Sequence, residues 1–170
     1  MIIFLSGSIN SGKSTIAKRL AAKFEKPAVV EGDSLRAFIN STPLEEAIPI
    51  TLENIVAVVR NLEKHGFTCI VPYPLSSSNY LYITDGLRNS GNIYVFTLSP
   101  KMEKVLRDNP DRKITGWEKN RIRHHYTVGI ATPAFGFVID NTNESPDETT
   151  ERIFKIIQSL SISVPIAKMR

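Results

Sequence analysis

Cysteine is all but missing: Cys69 is the one thiol in 170 residues. A single thiol excludes an internal disulfide, and no Cys/His group has the spacing of a metal centre. A reducing compartment is therefore expected. Missing too is any apolar stretch near the ~20 residues that cross a bilayer. The run from Met1 to Leu5 is too short for a secretory core and has no basic flank, so a cytoplasmic protein away from membranes is expected. No internal repeat, low-complexity tract or linker interrupts the chain. Its length suits one domain, residues 1–170.

Two chemical absences narrow the function. Phe67 to Pro74 offers no acid where a motor ATPase holds its metal and attacking water, and no Asn-Lys-x-Asp reads guanine. Acidic excess is absent as well: the net charge is +4. Between Arg107 and Arg123, the basic residues Arg107, Arg112, Lys113, Lys119, Arg121 and Arg123 outnumber Asp108, Asp111 and Glu118 by three. Charge gathered in one segment suits an anion-facing lid, about residues 107–126, better than a nucleic-acid footprint. Arg107 and Arg112 are the candidates for gripping nucleotide or stabilising transferred charge, ahead of Arg121 and Arg123.

What the chain does have is Gly7-Ser8-Ile9-Asn10-Ser11-Gly12-Lys13-Ser14, of the form G-x-x-x-x-G-K-[ST]. Four fixed positions match by accident at on the order of one site in 30,000. The context sharpens the match. Ile2-Ile3-Phe4-Leu5 is apolar without alternation, as a strand covered on both faces requires. Ala17, Leu20, Ala21 and Phe24 then recur at helical spacing before Pro27 ends the helix. Such a loop turns successive N–H groups inward at a helix N-terminus and forms a nest for anions. Lys13 adds a full charge for phosphate oxygens, and the Ser14 hydroxyl suits Mg²⁺. Gly7, Ser8, Asn10, Ser11, Gly12, Lys13, Ser14 and Thr15 are thus the expected binders of Mg-ATP.

Further strands are expected at Ala28–Val30, Phe67–Val71, Asn92–Leu98 and Phe137–Ile139. Between them, Ile55, Val58, Val59 and Leu62 mark a helix from about Thr51 with Gly66 at its C-cap. Ser99-Pro100 reads as an N-cap with proline at the first helical position, opening a helix to about Leu106. Ser145-Pro146-Asp147-Glu148 is a capping box before Ile153, Ile156, Ile157 and Leu160. Strands alternating with helices argue for an α/β fold with three α/β/α layers around a five-stranded parallel sheet. Ligands of such sheets sit beyond the carboxyl ends of the strands.

Glu31-Gly32-Asp33-Ser34-Leu35-Arg36 falls at one such end. A carboxylate at Asp33 can accept a hydroxyl proton during transfer or hold a metal-bound water, and Arg36 can clamp a polar or anionic acceptor. Asp33 can equally be a helix N-cap and Arg36 a surface partner. Tyr73, Tyr80, Tyr82 and Trp117 can line a pocket or pack. Adjacent His124 and His125 point apart on a helix, which suits structural or surface roles better than a metal pair.

Gly-Asp-x-[LV]-Arg after a short second strand, joined to Ser-Gly-Lys-Ser-Thr in the loop, resembles the phosphate-loop small-molecule kinases: adenylylsulfate kinase, gluconate kinase and chloramphenicol phosphotransferase-like enzymes. Cys69 to Pro74 is similar to the third strand and following loop of the first. Arg107, Asp111-Arg112 and Gly116 resemble the arginine-bearing lid of the last. Val138 through Glu148 is similar to the final strand, adenine-side loop and last helix of both. The resemblance implies Asp33 as general base or Mg-water ligand and Arg36 on the acceptor, beside a Tyr73 loop. Pro74-Leu75-Ser76 departs from adenylylsulfate kinase, which has arginine there.

The expected function is an ATP-dependent kinase acting on a hydroxyl of a small metabolite or antibiotic, with Asp33, Lys13 and Arg112 catalytic. A polynucleotide 5′-hydroxyl kinase and a non-catalytic ATP-binding module are the alternatives. The expected assembly is a monomer or homodimer.

Overall fold

The computed structural model of the chain describes residues 1–108 and 113–162. Strand β1 (Ile2–Gly7) is buried along its whole length, with Ile2 and Phe4 on one face and Ile3 and Leu5 on the other. It leads through the glycine loop into helix α1 (Lys13–Ala21). Strand β2 (Pro27–Val29) and a short helix α2 (Gly32–Ala37) follow, then the long helix α3 (Leu44–Lys64) and strand β3 (Thr68–Pro72). Helix α4 (Ser77–Gly86) precedes strand β4 (Ile93–Leu98). The short α5 (Met102–Val105), α6 (Gly116–Thr127), β5 (Phe137–Ile139) and α7 (Pro146–Ile162) complete the order.

All strand pairings are parallel, in the order β2-β3-β1-β4-β5. The expected fold class is what is found: a five-stranded parallel sheet with helices on both faces. Leu52, Ile55, Val56 and Val59 of α3, with Ile83 of α4, cover the face bearing Ile2 and Phe4. Ile16, Ala17 and Leu20 of α1, with Ile153 and Ile157 of α7, cover the face bearing Ile3 and Leu5. Ion pairs Arg19–Asp147 and Lys23–Glu151 join α1 to α7 along their exposed edges. A third, separate cluster of Val105, Ile114 and Ile122 lies between α5 and α6, the segment expected to form the lid.

Two helix starts differ from the sequence expectation. Helix α3 begins at Leu44 rather than near Thr51 and passes through Pro49. One proline near a helix start forfeits a single hydrogen bond, and the burial of Ala47 keeps the early turns in place. Ser99-Pro100 does not open α5, whose N-cap is Lys101. The backbone there stays extended because Ser99 N donates to Ile139 O at 2.8 Å and the Tyr126 hydroxyl donates to Pro100 O. By contrast, α3 ends as expected. Gly66, at φ +80°, donates to Glu63 O, and Phe67 N donates to Leu62 O, a Schellman closure. The capping box at α7 is reciprocal: Glu148 N donates to Ser145 Oγ and Ser145 N to Glu148 Oε2.

Candidate active site

The carboxyl ends of all five strands converge on the glycine loop. At Gly7, φ is +130° and a Cβ would stand 2.3 Å from Leu98 O, so only glycine lets the loop leave β1 against β4. Asn10 at φ 62° and Gly12 at φ +97° complete the turn. Three neighbours hold the loop in shape. Asn10 Nδ2 donates to Val105 O at 3.0 Å and Arg107 O at 3.2 Å, and Asn141 Nδ2 donates to Ser11 O at 3.1 Å. His125 Nδ1 lies 3.4 Å from Ser8 Oγ. No side chain caps α1, so its first amides face the cleft as anion donors.

That cleft measures about 810 Å³ and brings together Asn10, Gly12, Lys13, Ser14 and Thr15 with Asp33, Arg36 and Tyr73. Gly7 and Ser8 lie beneath it, while Ser11 lines a smaller cavity of about 300 Å³ with Asn141, Glu144 and Pro146. This second space abuts the residues resembling an adenine-side loop. Lys13 Nζ donates to Ser8 O at 2.6 Å, which keeps the ammonium over the loop.

Asp33 and Arg36 occupy the single-turn helix α2, and Tyr73 follows β3. Gly32 is buried against the Tyr73 ring, which ties the two strand ends into one surface. Burial pushes the Tyr73 hydroxyl up to about 12, with Asp33 raising it and Arg36 and Arg121 lowering it. All three charges therefore act on one phenol.

Three side chains that the sequence ranked low or left without a role enter the site. Glu31 Oε2 accepts from Ser14 Oγ at 3.1 Å, which puts a carboxylate beside the expected metal ligand. Its signal was visible as a second acid two residues before Asp33. Arg121 lines the cleft half-buried, whereas the Arg107 side chain is exposed and lines neither cavity. On α6, Arg121 and His125 are four residues apart and share a face. His125 is 2% exposed, and burial, then Arg121, Lys13 and His124, lower its pKa to about 4. His124 is exposed, as a surface histidine should be. Arg112 and Asp111 lie outside the described residues.

Trp117 lines the cleft on the lid side. Tyr80 instead stacks on Phe135 at 4.1 Å, and Tyr82 is exposed. Among the described residues no group of three or more His, Cys, Asp or Glu is built to hold a metal unaided, and no helix is long and apolar enough to cross a membrane.

No family model matches the chain, and no curated protein matches it in sequence. Solved structures do. The APS kinase of Mycobacterium tuberculosis, in complex with AMPPNP and APS, superposes with a TM-score of 0.71 at 17% identity, over 92% of this chain and 96% of that one. A gluconokinase from Sinorhizobium meliloti gives 0.68 at 15% identity, over 94% and 95%. The tunicamycin resistance protein of Deinococcus radiodurans gives 0.61 at 20% identity, over 98% of each chain. The chain has the fold of the phosphate-loop kinases, which the loop and the Gly32-Asp33-Arg36 segment resembled in sequence.

Proposed function

We propose that the chain is an ATP-dependent phosphotransferase that moves the γ-phosphate to a hydroxyl of a small molecule, a metabolite or an antibiotic. One observation carries the reading: Asp33, a carboxylate with no ion pair among the described residues, lines the same cleft as Lys13 and Ser14. A binding module has no use for a free acid facing its phosphate site. A transferase does.

The loop amides and Lys13 take the triphosphate, with Lys13 exchanging the Ser8 carbonyl for phosphate oxygens. Asp33 accepts the acceptor's proton as its oxygen bonds to the γ-phosphorus. The bond to the β–γ bridging oxygen breaks and ADP leaves. Arg36 and the Tyr73 loop orient the acceptor, while Arg112 and Arg107 supply lid charge. For Mg²⁺ the donors fit: Ser14 Oγ and Glu31 Oε2 are both oxygens, the ligands a hard cation takes. Held by those oxygens, a Mg²⁺ ion would offset the charge of the triphosphate during transfer. The domain is the whole chain, its lid spans about residues 107–126, and its setting is the cytoplasm.

The test is a panel of hydroxyl compounds (sugar acids, polyols, nucleosides, aminoglycosides, 5′-hydroxyl oligonucleotides) scored for stimulated ADP release. Asp33→Ala should retain ATP binding and lose turnover by about 10²- to 10⁴-fold, the usual contribution of a positioned base. Unchanged ATP consumption in that variant sinks Asp33 as base, and an active Lys13→Ala variant overturns the loop reading.

A further inference from the structure

Among the described residues, the charges on the cleft lining do not balance. Its acids are Asp33 and Glu118, and its cations are Lys13, Arg36 and Arg121. Glu118 is occupied on its own helix, accepting from Thr115 N and Thr115 Oγ1, each at 2.9 Å. Lys13 belongs to the phosphate loop. Arg36 and Arg121 remain. Both are half-buried, and neither guanidinium makes a hydrogen bond or ion pair with any described residue. A guanidinium partly removed from water and left without an acceptor is costly, and its fork geometry matches a carboxylate or phosphate.

Their placement adds to this. Arg36 stands on α2 at the base of the cleft, and Arg121 on α6 in the lid. Both act electrostatically on the Tyr73 hydroxyl, as does Asp33, and cations from α2 and α6 line one cleft with the proposed base. Asn40 and Asn79 add uncharged polar groups. Leu44, Ile48 and Trp117 add apolar surface for a carbon skeleton.

We propose that the acceptor is an anionic hydroxy compound, a carboxylate or a phosphate ester, whose charged group is held between Arg36 and Arg121 while its hydroxyl faces Asp33. This rests on the kinase reading above and narrows it.

The protein saturated with ADP is titrated with gluconate and with glycerol 3-phosphate, and in parallel with their uncharged counterparts sorbitol and glycerol. Malonate and inorganic phosphate supply the charge without a hydroxyl scaffold. Trp117, the sole tryptophan, reports from the cleft by fluorescence, and calorimetry gives the stoichiometry. Saturable binding of at least one anion beyond its neutral counterpart is expected, and the arm that binds tells carboxylate from phosphate. Arg36→Gln and Arg121→Gln should each weaken it about tenfold or more, as charge-assisted bonds are lost. Arg36→Lys and Arg121→Lys should recover part of it, and ADP affinity should move less than about twofold in all four. With ADP bound, an absence of any anion site, neutral counterparts binding equally well, or indifference to both glutamines each overturns the inference and leaves the kinase reading standing. An arginine-dependent anion site in a chain that fails to bind ADP would keep the subsite and sink the kinase reading.

Discussion

Replacing Gly32 with alanine tests whether the cleft depends on the contact between the ends of β2 and β3. The backbone at Gly32 is helical and not left-handed, so alanine suffers no conformational strain, and intrinsic helix propensity would favour it by up to about 1 kcal/mol. Space decides otherwise. A Cβ there would lie 2.3 Å from Tyr73 Cδ2, 2.9 Å from Tyr73 Cγ and 3.2 Å from Ile55 Cδ1. Tyr73 is 4% exposed and meets the new atom with its ring body, not a flexible tip, while Ile55 is fully buried. Overpacking of this kind costs about 1–3 kcal/mol, which outweighs the propensity gain. Net destabilisation of about 1–2 kcal/mol should lower the Tm by roughly 2–8 °C for a chain of this size. Because relief moves Tyr73, which lines the cleft with Asp33 and Arg36, turnover should fall further than stability accounts for. Urea unfolding and steady-state kinetics on the same preparation measure both. A Gly32→Ala variant that is as stable as the parent with unchanged kcat and KM would refute the coupling.

Glu31→Gln keeps the hydrogen bond from Ser14 but removes the charge beside it. The Mg²⁺ concentration for half-maximal turnover should rise severalfold with little change at saturating metal, and an unshifted metal dependence would remove Glu31 from the site. His125, at about 4 when folded against its ordinary 6.5, binds its proton more readily in the unfolded chain. Its contribution to stability is therefore lost as pH falls from about 6.5 towards 4, by up to about 3 kcal/mol. Urea unfolding across that window should show a shallower pH dependence in His125→Gln than in the parent, and parallel curves would exclude the histidine as the cause. Binding of ADP brings negative charge beside Lys13 and should raise the His125 pKa; NMR titration with and without nucleotide reads the shift, and an unchanged pKa would separate His125 from the phosphate site.

Much of the fold was legible because its signals are local. An unbroken apolar β1, a glycine at the turn after α3 and a Ser-Pro-Asp-Glu cap before α7 each carry their meaning within a few residues. Helix α4 was not legible, since it buries only Ile83 of its ten residues and so lacks an apolar stripe. Nor was the late start of α5, where pairing with Ile139 and the Tyr126 hydroxyl overrides a good local cap. In the site, Lys13, Ser14, Asp33 and Arg36 announced themselves by motif. Glu31, Arg121 and His125 did not, because an acid near an acid, or one basic residue among several, acquires meaning only from what it faces.

The sequence by itself determined the phosphate-loop half of the cleft: backbone torsions open to glycine, and a lysine and a serine at fixed offsets from a helix start, are set by residues adjacent in the chain. Tertiary structure decided the other half. Arg36 and Arg121 are 85 positions apart in the chain, and only the tertiary fold brings α2 and α6 to one cleft with Tyr73. Partial burial leaves both guanidiniums without a partner among the described residues, and no local pattern encodes that.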